Sequence, residues 1–210
     1  MSLSLICVAL IYFDAPYGIH PLGWDRKPLL APEFKAILQS IMAVNLHPNV
    51  CLVLWHNMVL QAEYMKVLME LKWQGAHPFL WVKTNVAVQQ GRPHTNVTEV
   101  ALIAWSSNLN FSGASATARV YFPPDAPGSA HYNVFTGPLP SFFKDADGKT
   151  NPAEKSVALG QTLMNRFVPK GGNVIIVGTG HGGDLEAAVR CGLNVFGFER
   201  DPDEFKASVF

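Results

Sequence analysis

The sequence predicts an α/β domain built on a largely parallel sheet with helices on both faces. Three observations predict it. Short continuous apolar runs of strand length recur along the chain, and stretches with helical apolar spacing separate them. Towards the end, a strand, a Gly-rich turn, a helix and a second strand follow one another directly.

The elements justify themselves in order. Leu3–Phe13 is an unbroken apolar run ending at Asp14, the pattern of a strand buried on both faces. Pro32 opens a helix whose Phe34, Ile37, Leu38, Ile41 and Met42 share one face. Asn49–Trp55 reads as the next strand. Met58–Trp73 reads as a longer helix, its stripe running through Val59, Ala62, Met65, Leu68, Met69 and Lys72. Ala76–Lys83 and Thr98–Trp105 read as further strands joined by a polar segment. Ser106–Thr150 holds Gly, Pro, Ser and Asn clusters without a sustained period, so it is expected to be a variable insertion within one domain, 1–210. A helix is expected from Pro152 to Phe167, a strand at Asn173–Val177, a helix at Asp184–Cys191 and a last strand at Leu193–Glu199.

Composition narrows the class. Of 210 residues, 49% are hydrophobic and 15% charged, which fills a sizeable core and excludes disorder. Lys+Arg and Asp+Glu number 16 each, so the net charge is zero. That balance runs against a self-sufficient duplex binder, because phosphate contacts supply most of such affinity. Cys7, Cys51 and Cys191 lie far apart, and the seven His show no HExxH, so no metal site is expected. The start has an apolar core but neither a basic leader nor a small-residue cleavage site, and no apolar run reaches roughly 18 residues. An intracellular protein, cytoplasmic or nuclear and without a membrane partner, is expected.

Two strand ends carry candidate chemistry. Asp14-Ala15-Pro16-Tyr17 follows the first strand directly, where ligands gather in open α/β sheets. Gly178, Gly180 and Gly183 satisfy GxGxxG between a strand and a helix, so backbone can approach a ligand closely beside a helix N-terminus. Glu199, ending the next strand, is placed to accept from both hydroxyls of a ribose. A dinucleotide-binding dehydrogenase usually opens with this unit; here the remaining strands precede it.

In that order the chain resembles the amino-methyltransferases, the N6-adenine and N4-cytosine DNA methyltransferases, in their permuted arrangement with the catalytic motif first. Asp14-Ala15-Pro16-Tyr17 is similar to the family's (D/N/S)PP(Y/F/W), with Gly18-Ile19 and Trp24-Asp25 after it. Trp81-Val82-Lys83, Gly91-Arg92, Asn96 and Thr98-Glu99 look like the strand and loop before the target-recognition region. Asn151-Pro152 with Lys155 is similar to HPxxKP, and Val174–Glu199 follows the Gly-rich motif and acidic strand end. Three positions depart. Ala15 replaces the first Pro, Asn151 the usual His, and Ile176-Val177-Gly178 stands where the family has Asp-Pro-Phe.

The resemblance implies a Rossmann-like S-adenosylmethionine-dependent methyltransferase fold and methyl transfer to an exocyclic amine, N6 of adenine ahead of N4 of cytosine. It implies Asp14, Ala15, Pro16 and Tyr17 as catalytic residues. It places S-adenosylmethionine on Asp14, Asn151, Lys155, Gly178, Thr179, Gly180, His181, Gly182, Gly183, Glu199 and Arg200. DNA is the implied partner, contacted by Lys83, Arg92, His94, Asn96 and Arg119, with 106–150 as target-recognition region. The chemistry is consistent with those residue types. An exocyclic amine is a poor nucleophile until acceptors such as the Asp14 carboxylate and the residue 15 carbonyl localise its lone pair. Tyr17 offers a flat face for an extruded base, worth roughly 1–3 kcal/mol. Because the charge is low, the isolated chain is expected to bind DNA weakly, with a protein partner or flanking domain supplying the grip. Two other readings stand beside this one: a catalytically silent methyltransferase-like subunit, and a dinucleotide-binding oxidoreductase.

Overall fold

In the computed structural model of the chain, residues 7–18, 25, 27–84, 97–106, 133–138 and 154–208 are described. The strands are β1 (Val8–Asp14), β2 (Leu46–Trp55), β3 (Gln74–Lys83), β4 (Thr98–Trp105), β5 (Val134–Gly137), β6 (Asn173–Val177) and β7 (Asn194–Phe198). The helices are α1 (Ala31–Met42), α2 (Gln61–Glu70), α3 (Val157–Phe167), α4 (Gly183–Arg190) and α5 (Pro202–Ser208). The strands form one sheet in the order β5-β3-β4-β2-β1-β6-β7. β4 runs antiparallel to both β2 and β3, while the other neighbouring pairs are parallel. The sheet is therefore mixed, largely parallel, with one reversed strand.

Alternation along β1 explains its unbroken apolar run. Ile11 and Phe13 pack with Phe34, Leu38 and Ile41 of α1 and with Tyr64, Val67 and Leu68 of α2. Leu10 and Tyr12 face the other way, onto Leu159, Leu163 and Met164 of α3 and Ala187 and Ala188 of α4. Both faces are covered, as the sequence predicts. From β1 the chain crosses to β2 on one side, and from β6 it crosses to β7 on the other. The carboxyl ends of β1 and β6 therefore flank the point where the winding diverges, the usual ligand position in such sheets.

Several boundaries differ from the sequence reading. The helix expected from Met58 begins as a 3-10 turn, Met58–Leu60, held by the Asn57 side chain accepting from the Val59 N–H. Its buried face is Tyr64, Val67 and Leu68, whereas Val59 and Met69 of the expected stripe are 85% and 73% exposed. The Tyr64 hydroxyl donates to the Leu29 carbonyl, so an aromatic residue with a polar tip takes the inward position while Met69 faces outward. The helix expected from Pro152 starts at Val157, where the Ser156 side chain caps it by accepting from the Leu159 N–H. Two elements were not anticipated, α5 and β5; the latter lies inside 106–150 and extends the sheet alongside β3. Among the described residues no helix is long and apolar enough to cross a membrane.

Candidate active site

One cavity of about 300 Å³ opens at the carboxyl ends of β1, β6 and β7. Asp14, Ala15, Pro16 and Tyr17 form one wall, and Gly178, Thr179, Gly180, His181 and Gly183 form the facing one. Lys155, Glu199 and Arg200 complete the polar side, while Leu29, Ile37, Val177 and Phe198 give an apolar side. The two sequence motifs, more than 160 residues apart, thus share a cavity.

The glycine turn is shaped for close approach. Gly178, Gly180 and Gly182 have φ of +78°, +49° and +94°, a region that disfavours side chains. The Gly178 N–H donates to the Phe198 carbonyl at 2.8 Å, which ties the turn to the end of β7. Glu199 Oε2 accepts from the Gly180 N–H at 2.9 Å, and Oε1 accepts from the N–H groups of Arg200 and Asp201 at 2.7 and 2.9 Å. Glu154 accepts from the Gly183 N–H at the start of α4, and burial raises its carboxyl above the usual range. His181 pairs with Glu204 of α5 at 3.0 Å, so the helix missed from the sequence fastens the turn from outside.

Beside the first motif lies a buried charge cluster. Lys155, 3% exposed, donates to Asp14 Oδ1 and Oδ2 at 3.1 and 2.9 Å. Its ammonium also lies 3.2 Å from Glu99 Oε2 and 5.1 Å from the Tyr17 ring centre. Glu99 accepts from the Tyr17 hydroxyl at 3.2 Å and pairs with Lys83. Burial raises Asp14 to about 6, Lys155 opposing it and Glu99 reinforcing it. For Glu99, burial alone would raise the carboxyl, but Lys155 and Lys83 outweigh it and hold it low. Lys155, penalised by burial but flanked by Asp14 and Glu99, is held firmly charged. Asp184, in the first turn of α4, is raised to about 7 by burial and by Asp14. The Tyr12 hydroxyl, which accepts from Trp55 Nε1 at 2.9 Å, hydrogen-bonds the Asp184 side chain.

Glu99 and Asp25, quoted from the sequence only as part of the family resemblance and given no role, and Asp184, which was not singled out, also belong to this cluster. Glu99 sits there because β4 is reversed: its first residues lie at the same sheet edge as the last residues of β1 and β3. A carboxylate beginning an otherwise apolar strand was the available signal. Asp25, 1% exposed, accepts from the Gly18 N–H at 2.8 Å and so pins the turn after Tyr17. Lys83, expected on DNA, pairs with Glu99, and its side chain is 13% exposed. Arg92, His94, Asn96, Arg119 and Asn151 lie outside the described residues. Among the described residues no three His, Cys, Asp or Glu side chains are grouped to hold a metal ion.

A seven-stranded sheet with one reversed strand, wound from β1 in one direction and from β6 in the other, is the fold of the S-adenosylmethionine-dependent DNA methyltransferases. No protein-family model matches the chain, and no curated protein does. Solved structures match throughout. The M1.HpyAVI complex with S-adenosylmethionine is 20% identical, over 97% of this chain and 88% of that one, with a TM-score of 0.68. The cytosine-N4-specific PvuII DNA methyltransferase is 13% identical, over 99% and 80%, with a TM-score of 0.66. TTHA0409 of Thermus thermophilus, named as a candidate DNA modification methylase and complexed with S-adenosyl-L-methionine, is 17% identical, over 99% and 87%, with a TM-score of 0.59. At such identities the likeness is one of fold.

Proposed function

We propose that the chain is an S-adenosylmethionine-dependent DNA amino-methyltransferase, acting on N6 of adenine ahead of N4 of cytosine. One observation carries the reading: Asp14 and the glycine turn line the same cavity, within a fold shared with DNA methyltransferases crystallised with that cofactor. The preference for adenine rests on the Asp that opens the motif.

The residues fit the cofactor. A Cβ at Gly178 would collide with the Asp14 carbonyl, and one at Gly183 would crowd Glu154, so the turn presents backbone to the cavity. Glu199 already accepts three backbone N–H bonds, and a carboxylate offers about four acceptor positions. It therefore retains acceptor capacity for a ribose hydroxyl. The apolar side formed by Leu29, Ile37, Val177 and Phe198 suits a flat base. When bound, S-adenosylmethionine supplies an electrophilic methyl group on a sulfonium.

The chain's own residues prepare the acceptor. Asp14 accepts a hydrogen bond from the exocyclic amine, the Ala15 carbonyl accepts the second, and the lone pair turns away from the ring. Lys155 keeps Asp14 anionic and aimed, and Tyr17, fixed by Glu99 through its hydroxyl, supplies a stacking face. With Lys83 engaged by Glu99, the chain alone has a weak grip on DNA, and 106–150 is proposed as target-recognition region. A partner or flanking domain would then supply the rest of the grip.

Calorimetric titration tests the cofactor assignment. S-adenosylmethionine and its homocysteine product are expected to bind, and Glu199→Gln is expected to weaken both by about 1–3 kcal/mol. Binding of NAD or FAD but of neither methionine derivative would favour the oxidoreductase reading instead.

A further inference from the structure

Glu99 stands two strands from Asp14, with β2 between them, yet it touches Tyr17 directly and reaches Asp14 through the Lys155 ammonium. Its Oε2 accepts from the Tyr17 hydroxyl at 3.2 Å and lies 3.2 Å from the Lys155 ammonium, which also holds both oxygens of Asp14. Its other oxygen pairs with Lys83. The side chains involved are largely withdrawn from water: Glu99 is 14% exposed, Lys83 13% and Lys155 1%. Ion pairs in such surroundings are little screened by salt, and each member feels the others' charge.

The arrangement poses a chemical problem. A carboxylate whose two oxygens are both bound by one ammonium is a poor acceptor for anything else. Asp14 must nevertheless receive an N–H bond from a weakly acidic amine. Sharing the ammonium with a second carboxylate loosens its hold on Asp14 and leaves that oxygen basic. Lys83 in turn prevents Glu99 from taking Lys155 altogether.

We propose that Glu99 is a positioning residue of the reaction: it divides the Lys155 ammonium with Asp14, so that Asp14 keeps acceptor strength, and it fixes the Tyr17 ring through the hydroxyl. The inference rests on the methyl-transfer reading. The groups facing Asp14 are Tyr12 and Tyr17 on its own segment, Asp25 after it, Glu99 of β4, Lys155 before α3 and Asp184 of α4. Of these Lys155 is the cation: burial raises Asp14, Lys155 opposes the rise, and Glu99 and Asp25 add to it.

Carboxyl-carbon NMR titration of Asp14, assigned with Asp14→Asn, tests the division without needing activity. Glu99→Gln removes the competing charge but keeps an oxygen for Tyr17, so Asp14 is expected to titrate lower by about one unit. Lys83→Met frees Glu99 to draw more of Lys155, so Asp14 is expected to titrate higher; this opposite sign keeps the proposal falsifiable should Glu99→Gln not fold. In methyl-transfer assays Glu99→Gln is expected to lower kcat roughly tenfold, to move the ascending pH limb downward and to leave cofactor KM within a few fold. Tyr17→Phe is expected to leave the limb where it is. An unmoved or raised Asp14 in Glu99→Gln, or an unmoved or lowered one in Lys83→Met, overturns the proposal. Should both titrations move as stated while wild type transfers no methyl group, the charge division stands and the methyl-transfer reading is what fails.

Discussion

The carbonyl oxygen of Asp14 lies so close to Gly178 that a Cβ there would come within 3.0 Å of it, tighter than real side chains allow. The end of β1 and the glycine turn therefore touch through backbone, and this contact brings the two motifs into one cavity. Gly178 and Gly171 have nearly the same φ, +78° and +77°, but among the described residues nothing lies within 4 Å of a Cβ at Gly171. Both Ala variants carry the conformational cost of a left-handed residue, on the order of 1 kcal/mol. Gly178→Ala is expected to be less stable than Gly171→Ala by a further 1–3 kcal/mol or so, as over-packing typically costs. Urea unfolding of both checks it, and equal midpoints would show that Asp14 can yield.

In the proposed reaction Asp14 acts on the amine only as the carboxylate. Burial raises it to about 6, with Lys155 opposing the rise, so turnover is expected to increase with pH through about 6 and then level. Asp14→Asn is expected to lower kcat at least 100-fold while cofactor affinity stays within a few fold, because the lost interaction matters mainly in the transition state. Stopped-flow and equilibrium binding separate the two. A variant that turns over like wild type would reduce the motif to a strand-ending turn.

Asp184 contributes to stability with a definite sign. It is 5% exposed, its Oδ1 has no hydrogen-bond partner among the described residues, and burial raises it to about 7 from a usual 3.8. An acid whose folded value exceeds its unfolded value binds more protons when folded, so its contribution to stability falls as pH rises from about 4 to about 7. Asp184→Asn keeps an acceptor for Tyr12 and removes the charge. It is expected to raise Tm at pH 8 by more than at pH 4. An effect independent of pH would show that Asp184 ionises normally.

The physical reasons for what was legible run through particular residues. The unbroken apolar run of β1, the stripe of α1 and the strand–glycine–helix–strand unit over 173–199 are local patterns, and they place Asp14, Gly178 and Glu199 from sequence alone. The Glu99–Lys155–Asp14 cluster is not local: it depends on β4 being reversed, which no periodicity encodes. The pairing of Lys83 with Glu99 was not legible either, because the two residues stand on neighbouring strands whose pairing the sequence does not encode. The inward face of α2 was misread because apolar scale favours Met69 over Tyr64, whereas Tyr64 finds the Leu29 carbonyl for its hydroxyl. β5 and α5 are short, and both take their place from pairing and contact with distant residues.

The zero net charge bears on DNA binding. Each neutralised phosphate contributes about −0.9 to the slope of log K against log salt. The isolated chain is expected to bind random duplex weakly and with a shallow slope, and single-stranded or mismatched DNA relatively better, because flipping then costs less. Fluorescence anisotropy at several salt concentrations measures both. Nanomolar affinity with a steep slope would mean that the fold gathers its cations into a competent face by itself.

Methyl transfer itself is the most direct measurement. The protein is incubated with methyl-labelled S-adenosylmethionine and mixed-sequence DNA, the DNA is digested, and the nucleosides are separated. The expected result is label in N6-methyladenosine of the deoxy series, abolished by Asp14→Asn; label in N4-methyldeoxycytidine would keep the reaction and change the base. Absence of label from every nucleoside, with the cofactor bound and single-stranded and mismatched DNA also supplied, would contradict the assignment and leave a methyltransferase fold without the reaction.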